Sequence, residues 1–256
     1  MPQKEYCPKG YQQTQSQDSS PSVFLHHEAK KQVTDFSFEA VRENLFRVTF
    51  TSPAHPLPPY PSVTKPETSL NGVNVSTSSN PSQKEIEVGN IRAAVNWENT
   101  PVVSLSWKGK DKPLYRDLPL HLYVTDRDSI THYTEHNRKA LHVGLGEKGA
   151  PMDLTNQHFQ LSATDSFGYD VYNTNPLYKH IPLLIKATLS GCVAIFSTTH
   201  SRGTWLVGSE VDSLWGHFKV YRQDVGGLEQ YLIVGKTLKD IVRSYTELVG
   251  FPLLIP

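Results

Sequence analysis

The segment from Pro182 to Gly235 sets the strongest limit on what this chain can fold into. It contains "PLLIKATLSGCVAIFSTTH" and then "GTWLVGSEVDSLWGHFKVYRQDVGGLEQYLIVG", a succession of short apolar stretches broken by Gly, Ser and Asp. Stretches of this length, rich in β-branched and aromatic side chains, read as strands, and strands separated by turn residues pair antiparallel. Such a chain covers its apolar faces by stacking one sheet on another. The expected fold class is therefore all-β, an antiparallel β-sandwich.

The same texture begins earlier. In "VTDFSFEAVRENLFRVTF", Val33, Phe36 and Phe38, then Leu45, Phe46, Val48 and Phe50, flank "RENL", which predicts a hairpin with one covered face. "SPAHPLPPYPSVTKPETSLNGVNVSTSSNPSQ" is crowded with residues that cannot donate to a ladder or that favour turns, and reads as a long surface excursion. "KEIEVGNIRAAVNW" and "HLYVTDRDSITHYTEH" return to strands, with Asp126 and Asp128 in a turn or at a solvated strand end. One segment has another period. "TLKDIVRSYTELVG" places Leu238, Ile241, Val242, Tyr245, Leu248 and Val249 on a helical stripe, with a capping box at Thr237 and Asp240 and a stop at Gly250 and Pro252.

Three regions follow from this pattern. Residues 1–30, rich in Gln, Ser and Pro at their start, are expected to be a disordered leader with His26 and His27 solvated in or beside it. Residues 31–236 form the β-sandwich domain, and residues 237–256 a helix and linker. The last six residues, "FPLLIP", carry Phe251, Leu253, Leu254 and Ile255, which need a covering surface.

Composition removes several functions. Lys plus Arg number 25 and Asp plus Glu number 25, a formal net charge of zero, so the electrostatic footprint of phosphate-backbone binding is missing and nucleic acid is not an expected partner. No apolar run approaches the roughly 18 to 20 residues of a membrane-spanning helix, and the first residues lack the apolar region of a signal peptide, which makes a cytoplasmic location the default expectation. The two cysteines, Cys7 and Cys192, suggest neither a disulfide framework nor a metal site, and Cys192 in "SGCVAIF" reads as a small core residue. The sequon at Asn74 reads as chance.

Catalytic motifs are scarce. The 11 histidines include no H-E-x-x-H pair, and no cofactor or metal is expected from them. "GLGE" at Gly144 to Glu147 is not a phosphate-binding glycine loop, since no helical pattern follows it. "THSRG" at Thr199 to Gly203 lacks the strand, turn and helix that would activate its serine. What stands out is the acidic and aromatic stretch "DSFGYDVY" directly before the apolar strand at Leu183.

Taken in order, "HVGLGEKGAPMDL", "TDSFGYDVYNTNPLYKHIPLLI" and "GGLEQYLIVGKTLKDIVRSYTELVGFPLLIP" resemble the N-terminal region of family 31 glycoside hydrolases, the α-glucosidase and α-xylosidase family. The likeness is good over residues 141–185 and 226–252, weaker over 31–140, and absent over 1–30. Ser162 and Ala163 stand where that family usually has Trp and Asn, and Val249 stands where it has Thr. The resemblance implies a galactose-mutarotase-like sandwich leading, past Gly250, into a (β/α)8 barrel that carries the two catalytic aspartates of a retaining mechanism. This chain ends before that barrel would begin, so it is expected to be inactive alone, a non-catalytic supporting or carbohydrate-binding domain, with the barrel as partner through its C-terminal tail.

The resemblance also implies a binding role. In the family the loop equivalent to "TDSFGYD" reaches toward the saccharide site, and Asp165 inherits the position of its sugar-binding aspartate, flanked by Ser166 and Phe167. An ionised carboxylate accepts charge-assisted hydrogen bonds from sugar hydroxyls. Equally open is a purely structural loop in which Asp165 shapes a turn and Phe167 and Tyr169 are core or rim aromatics. Tyr178, Pro182 and Leu183 to Ile185 are expected to build an inner strand. Alternatives to the supporting domain are a free-standing sugar-binding or interaction module and an aldose 1-epimerase.

Overall fold

The computed structural model describes residues 4–14, 19–29, 32–59, 67–119, 121–172, 174–208, 211–212 and 216–252. In chain order the first strands are β1 (Glu5–Tyr6), β2 (Gln12–Gln13), β3 (Ser22–Ala29), β4 (Gln32–Arg42), β5 (Leu45–Thr51), β6 (Val75–Asn80) and β7 (Gln83–Val88). They continue as β8 (Ile91–Asn96), β9 (Val102–Trp107), β10 (Tyr115–Arg116), β11 (Tyr123–Asp126), β12 (Ser129–Glu135), β13 (Leu141–Gly144) and β14 (Gln157–Leu161). The last are β15 (Leu183–Thr188), β16 (Gly191–Ser197), β17 (Gly203–Val207), β18 (Val211–Asp212), β19 (Gly216–Gln223) and β20 (Leu228–Gly235), followed by the helix α1 (Leu238–Val249).

These strands form three antiparallel sheets. An eight-stranded sheet runs β13-β15-β16-β20-β5-β4-β3-β2, a seven-stranded sheet runs β1-β11-β12-β19-β17-β14 with β18 beside β19, and a five-stranded sheet runs β10-β9-β8-β7-β6. One large core gathers side chains from all three, among them Phe36, Phe38, Ile86, Val95, Tyr123, Phe159, Trp205 and Leu232. The eight-stranded sheet thus faces the other two across a shared apolar layer, the sandwich that the pattern of short runs requires.

Side-chain alternation explains why the segment after Pro182 is so uniformly apolar. Leu184, Val193, Ile195, Leu232 and Val234 point into the large core. Their neighbours Leu183, Ile185, Cys192, Ala194, Phe196, Tyr231 and Ile233 point to the opposite face, where Ile241 and Leu248 of α1 cover them. Strands buried on both faces lose the polar half of the two-residue period and read as continuous apolar runs. Cys192 sits in that second layer, buried and with a free thiol.

The helix is capped as its sequence predicts. Thr237 Oγ1 accepts from Asp240 N, Asp240 Oδ2 accepts from Thr237 N at 2.9 Å, and Gly250 N returns to Thr246 O at 2.8 Å. The buried stripe is shifted, however: Ile241, Ser244 and Leu248 are inside, while Leu238 and Val242 are 37 % and 50 % exposed. The β4–β5 hairpin is also present, with a bulge between Ala40 and Arg42 that turns Val41 toward the helix-covered layer while Ala40 stays in the large core.

Three expectations are corrected. The segment taken as a leader is not apart from the sandwich: β3 pairs with β4 along its whole length, β1 pairs with β11, β2 pairs with β3, and Val23 and Leu25 enter the core. Polar composition concealed this because β3 buries only Val23 and Leu25, and β1 and β2 bury neither of their residues. His26 accordingly lies on a strand, with Nδ1 2.7 Å from Asp35 Oδ1. The surface excursion contains β6, an edge strand of polar side chains paired with β7. Tyr178 and Pro182 are not part of β15; both precede the strand, and Tyr178 is 44 % exposed. Of the apolar tail, Phe251 is 67 % exposed and residues 253–256 lie outside the described residues. No described helix is long and apolar enough to cross a membrane.

Candidate functional site

Residues 162–182 connect β14, the last strand of the seven-stranded sheet, to β15 of the eight-stranded sheet. A connection between two stacked sheets must run over the end of the sandwich, so its backbone groups need partners other than a ladder. Asn175 supplies two of them: its Oδ1 accepts from Gln160 N at 3.2 Å and its Nδ2 donates to His158 O at 3.1 Å, so one amide stands in for a neighbouring strand along the open edge of β14. Thr164 N donates to Leu177 O at 3.2 Å, closing the loop above that point.

The far side of the loop rests on the turn after β13. Leu145 N donates to Leu183 O at 3.0 Å and Glu147 N to Lys179 O at 3.1 Å. Gly146 has a φ of +78°, and a Cβ there would meet Ile181 N at 2.8 Å, so this turn requires glycine for close backbone approach. "GLGE" is therefore a structural turn, with Leu145 fully buried beneath the loop. Lys148 donates to Gln160 O at 2.7 Å, and burial lowers its ammonium to about 8. Burial, reinforced by Lys148, also lowers His180 from its ordinary value.

The structure separates the two aspartates of the loop. Asp170 is a turn-maker: its Oδ1 accepts from Tyr172 N at 2.7 Å, its own N–H donates to Thr174 Oγ1 at 2.7 Å, and Thr174 N donates back to Asp170 O at 3.0 Å. Asp165 is exposed and has no hydrogen bond or ion pair among the described residues. Ser166, expected beside it as a binding group, is engaged inside the loop, its hydroxyl donating to Pro176 O at 3.1 Å and its carbonyl accepting from Tyr178 Oη at 2.8 Å. Phe167 is 96 % exposed.

The sequence also understated the apolar character of this region. Val171 and Tyr172 are exposed with Phe167, and Tyr169 stands edge-on to Tyr178 at 6.5 Å between ring centroids. A braced loop that presents a carboxylate acceptor and aromatic faces has the two kinds of contact a sugar ring uses: polar edges and an apolar face.

The remaining titratable groups of note are structural. His132 lies inside the sandwich with Nε2 2.9 Å from Asp117 Oδ1 and Nδ1 2.9 Å from Gln230 Oε1. Tyr115 Oη also donates to Asp117 Oδ1, and Val103 N donates to Asp117 Oδ2 at 2.8 Å. Both side chains of the His132–Asp117 pair are only 1 % exposed, so no sugar ring reaches them. Among the described residues, no cluster of three or more His, Cys, Asp or Glu side chains could hold a metal ion.

Comparison with known proteins places this geometry in a family. Residues 35–205 match the family described as the glycosyl hydrolase 31 N-terminal galactose mutarotase-like domain. The chain belongs to that family. An α-glucosidase of Saccharolobus solfataricus is 30 % identical over 115 residues, which are 44 % of this chain and 16 % of the relative. Human neutral α-glucosidase AB is 26 % identical over 132 residues, 45 % of this chain and 13 % of the relative. These matches span about a sixth of the relatives' length or less.

Solved structures extend the likeness to the whole fold of the mutarotase-like domain. A Flavobacterium johnsoniae dextranase of glycosyl hydrolase family 31, in complex with isomaltotriose, superposes with a TM-score of 0.79 at 20 % identity, covering 99 % of this chain and 29 % of the dextranase. The cycloalternan-forming enzyme of Listeria monocytogenes, in complex with a pentasaccharide substrate, gives 0.77 at 14 % identity, covering 99 % of this chain and 23 % of that one. At that coverage the N-terminal strands belong to the shared fold, although sequence likeness over residues 1–30 is absent.

Proposed function

We propose that this domain supports and helps shape the saccharide site of a glycosyl hydrolase 31 enzyme, presenting the loop of residues 162–182 to a catalytic barrel. Asp165 accepts hydrogen bonds from substrate hydroxyls, Phe167 offers its ring beside it, and Ser166 holds the loop's shape. The observation that carries this reading is the pairing of a carboxylate that is exposed and unengaged among the described residues with an almost fully exposed Phe167, on a loop otherwise tied down at both ends. Glycosidic chemistry belongs to the barrel, where two carboxyl groups flank the bond to be cleaved. The tail after α1, beginning at the exposed Phe251, leads to that barrel.

Two measurements test this. The 256-residue chain alone releases no nitrophenol from an aryl α-glucoside above a blank; release would overturn the supporting role. In an enzyme that joins this domain to a family 31 barrel, Asp165→Ala raises KM about tenfold, the loss of a charge-assisted hydrogen bond. An unchanged KM and kcat would reduce the loop to a structural connection.

A further inference from the structure

A cleft of about 400 Å³ lies where the β4–β5 turn, the β7–β8 turn, the end of β9, the end of β20 and α1 meet. The β4–β5 turn contributes Glu43 and Asn44, the β7–β8 turn Asn90, the end of β9 Trp107, and α1 Arg243 and Ser244. None of these residues belongs to the loop of residues 162–182.

The indole of Trp107 is held in place. Its Nε1 donates to Ser190 O at 2.7 Å, its ring packs on the large core, and Gly191 lies so close that a Cβ there would meet Trp107 Nε1 at 2.9 Å. The ring is only partly buried and lines the cleft. Ser244, which also lines the cleft, is 3 % exposed, and its Oγ has no hydrogen-bond partner among the described residues. A buried hydroxyl without a partner costs free energy that a ligand hydroxyl would recover. Around it the side chains mix donors and acceptors: the amides of Asn44 and Asn90, the Arg243 guanidinium and the Glu43 carboxylate.

Charge narrows the class of ligand. Arg243 is already paired with Glu247 at 3.1 Å, Asp240 is engaged in the helix cap, and Lys236 and Glu43 add one charge of each sign. An aromatic face with mixed, largely compensated polar groups suits a neutral polyhydroxylated ring. The geometry points to an auxiliary binding site for one or two hexose units of a neutral α-glucan, seated on Trp107 and hydrogen-bonded to Ser244, Asn90 and Arg243. The choice of glucan rests on the family reading; the site itself does not depend on Asp165.

The test is an NMR titration of the ¹⁵N-labelled 256-residue chain with maltotriose, following the indole N–H signals of the tryptophans. The Trp107 signal is expected to shift saturably, while those of the buried Trp97 and Trp205 stay fixed. Asn90→Ala with Arg243→Ala, both at exposed positions, raises the dissociation constant about tenfold without altering the rest of the spectrum. Asp165→Ala leaves the Trp107 titration unchanged, which separates this site from the loop. No shift at Trp107, an undiminished shift in the double variant, or a response to tetramethylammonium in place of maltotriose would overturn the assignment.

Discussion

The Tyr178 hydroxyl donates to the Ser166 carbonyl oxygen at 2.8 Å, bridging the two arms of the loop that carries Asp165 and Phe167. Ser166 belongs to the acidic and aromatic stretch that distinguishes the sequence and Tyr178 lies just beyond it, yet neither contributes to a strand. The bond converts an exposed twelve-residue separation into a braced one. The loop's tip therefore has a defined shape, which under the proposed saccharide-binding role lowers the entropy that binding must overcome.

Tyr178→Phe removes that bond at about 1 kcal/mol and should loosen the loop without unfolding the sandwich. Amide hydrogen exchange across residues 162–181 is expected to accelerate, while the midpoint of thermal unfolding stays nearly constant. Unchanged exchange in the loop would mean that Asn175 and the turn at Gly146 suffice to hold it.

Asp117 accepts from His132, Tyr115 and Val103 at the centre of the fold. Asp117→Ala leaves three buried donors without their acceptor, and a cost of about 3 to 5 kcal/mol is expected. Urea denaturation measures this directly. A loss below about 1 kcal/mol would show that water replaces the carboxylate.

His136 and His142 stack at 4.8 Å between ring centroids. Burial, followed by the neighbouring basic groups Lys219, His217, Lys186 and Arg138, lowers His136 to about 4. Burial, with Lys219, His136 and Lys186, lowers His142 to about 3, opposed by Asp153. In the unfolded chain both titrate near 6.5. The unfolded state therefore binds protons that the native state refuses as pH falls below 6.5, and stability decreases until pH 4 for one ring and pH 3 for the other. Above about pH 7 neither contributes a slope. Denaturant unfolding between pH 8 and pH 4 should show the loss, on the order of a few kcal/mol, and His142→Phe should flatten it.

Thr237→Ala removes one half of the capping box on α1 and should cost about 1 kcal/mol. Because Ile241 and Leu248 cover the outer face of β15, β16 and β20, the effect is expected in the global unfolding midpoint rather than as local fraying. A variant that frays residues 237–242 with no change in midpoint would show that the helix is not coupled to the sheet.

How far the sequence reached depended on the range of the forces concerned. The all-β class, the β4–β5 hairpin, the turn at Asp126–Ser129 and the cap at Thr237 rest on alternation, turn chemistry and local hydrogen bonds, each confined to a few neighbouring residues, and all were readable. The strands before residue 30 were not, because β1 finds its partner at Tyr123–Asp126 and such pairing leaves no mark in a polar segment read alone. Nor could periodicity choose Ser244 over Val242 for the buried side of α1. Spacing defines a stripe, but the register of a helix on a sheet is decided by the shape of the surface beneath it.

The same division holds for the sites. Residue types alone marked "DSFGYD" as unusual, since a carboxylate next to aromatic rings before a core strand is visible in one dimension. Only the tertiary structure distinguished Asp170, spent on its own turn, from Asp165, left unengaged, and only folding brought Asn90, Trp107 and Ser244 from distant segments into one cleft. Chain connectivity encodes which groups are present. Burial and competition for hydrogen-bond partners, settled once the sheets have packed, determine which of them remain available to a ligand.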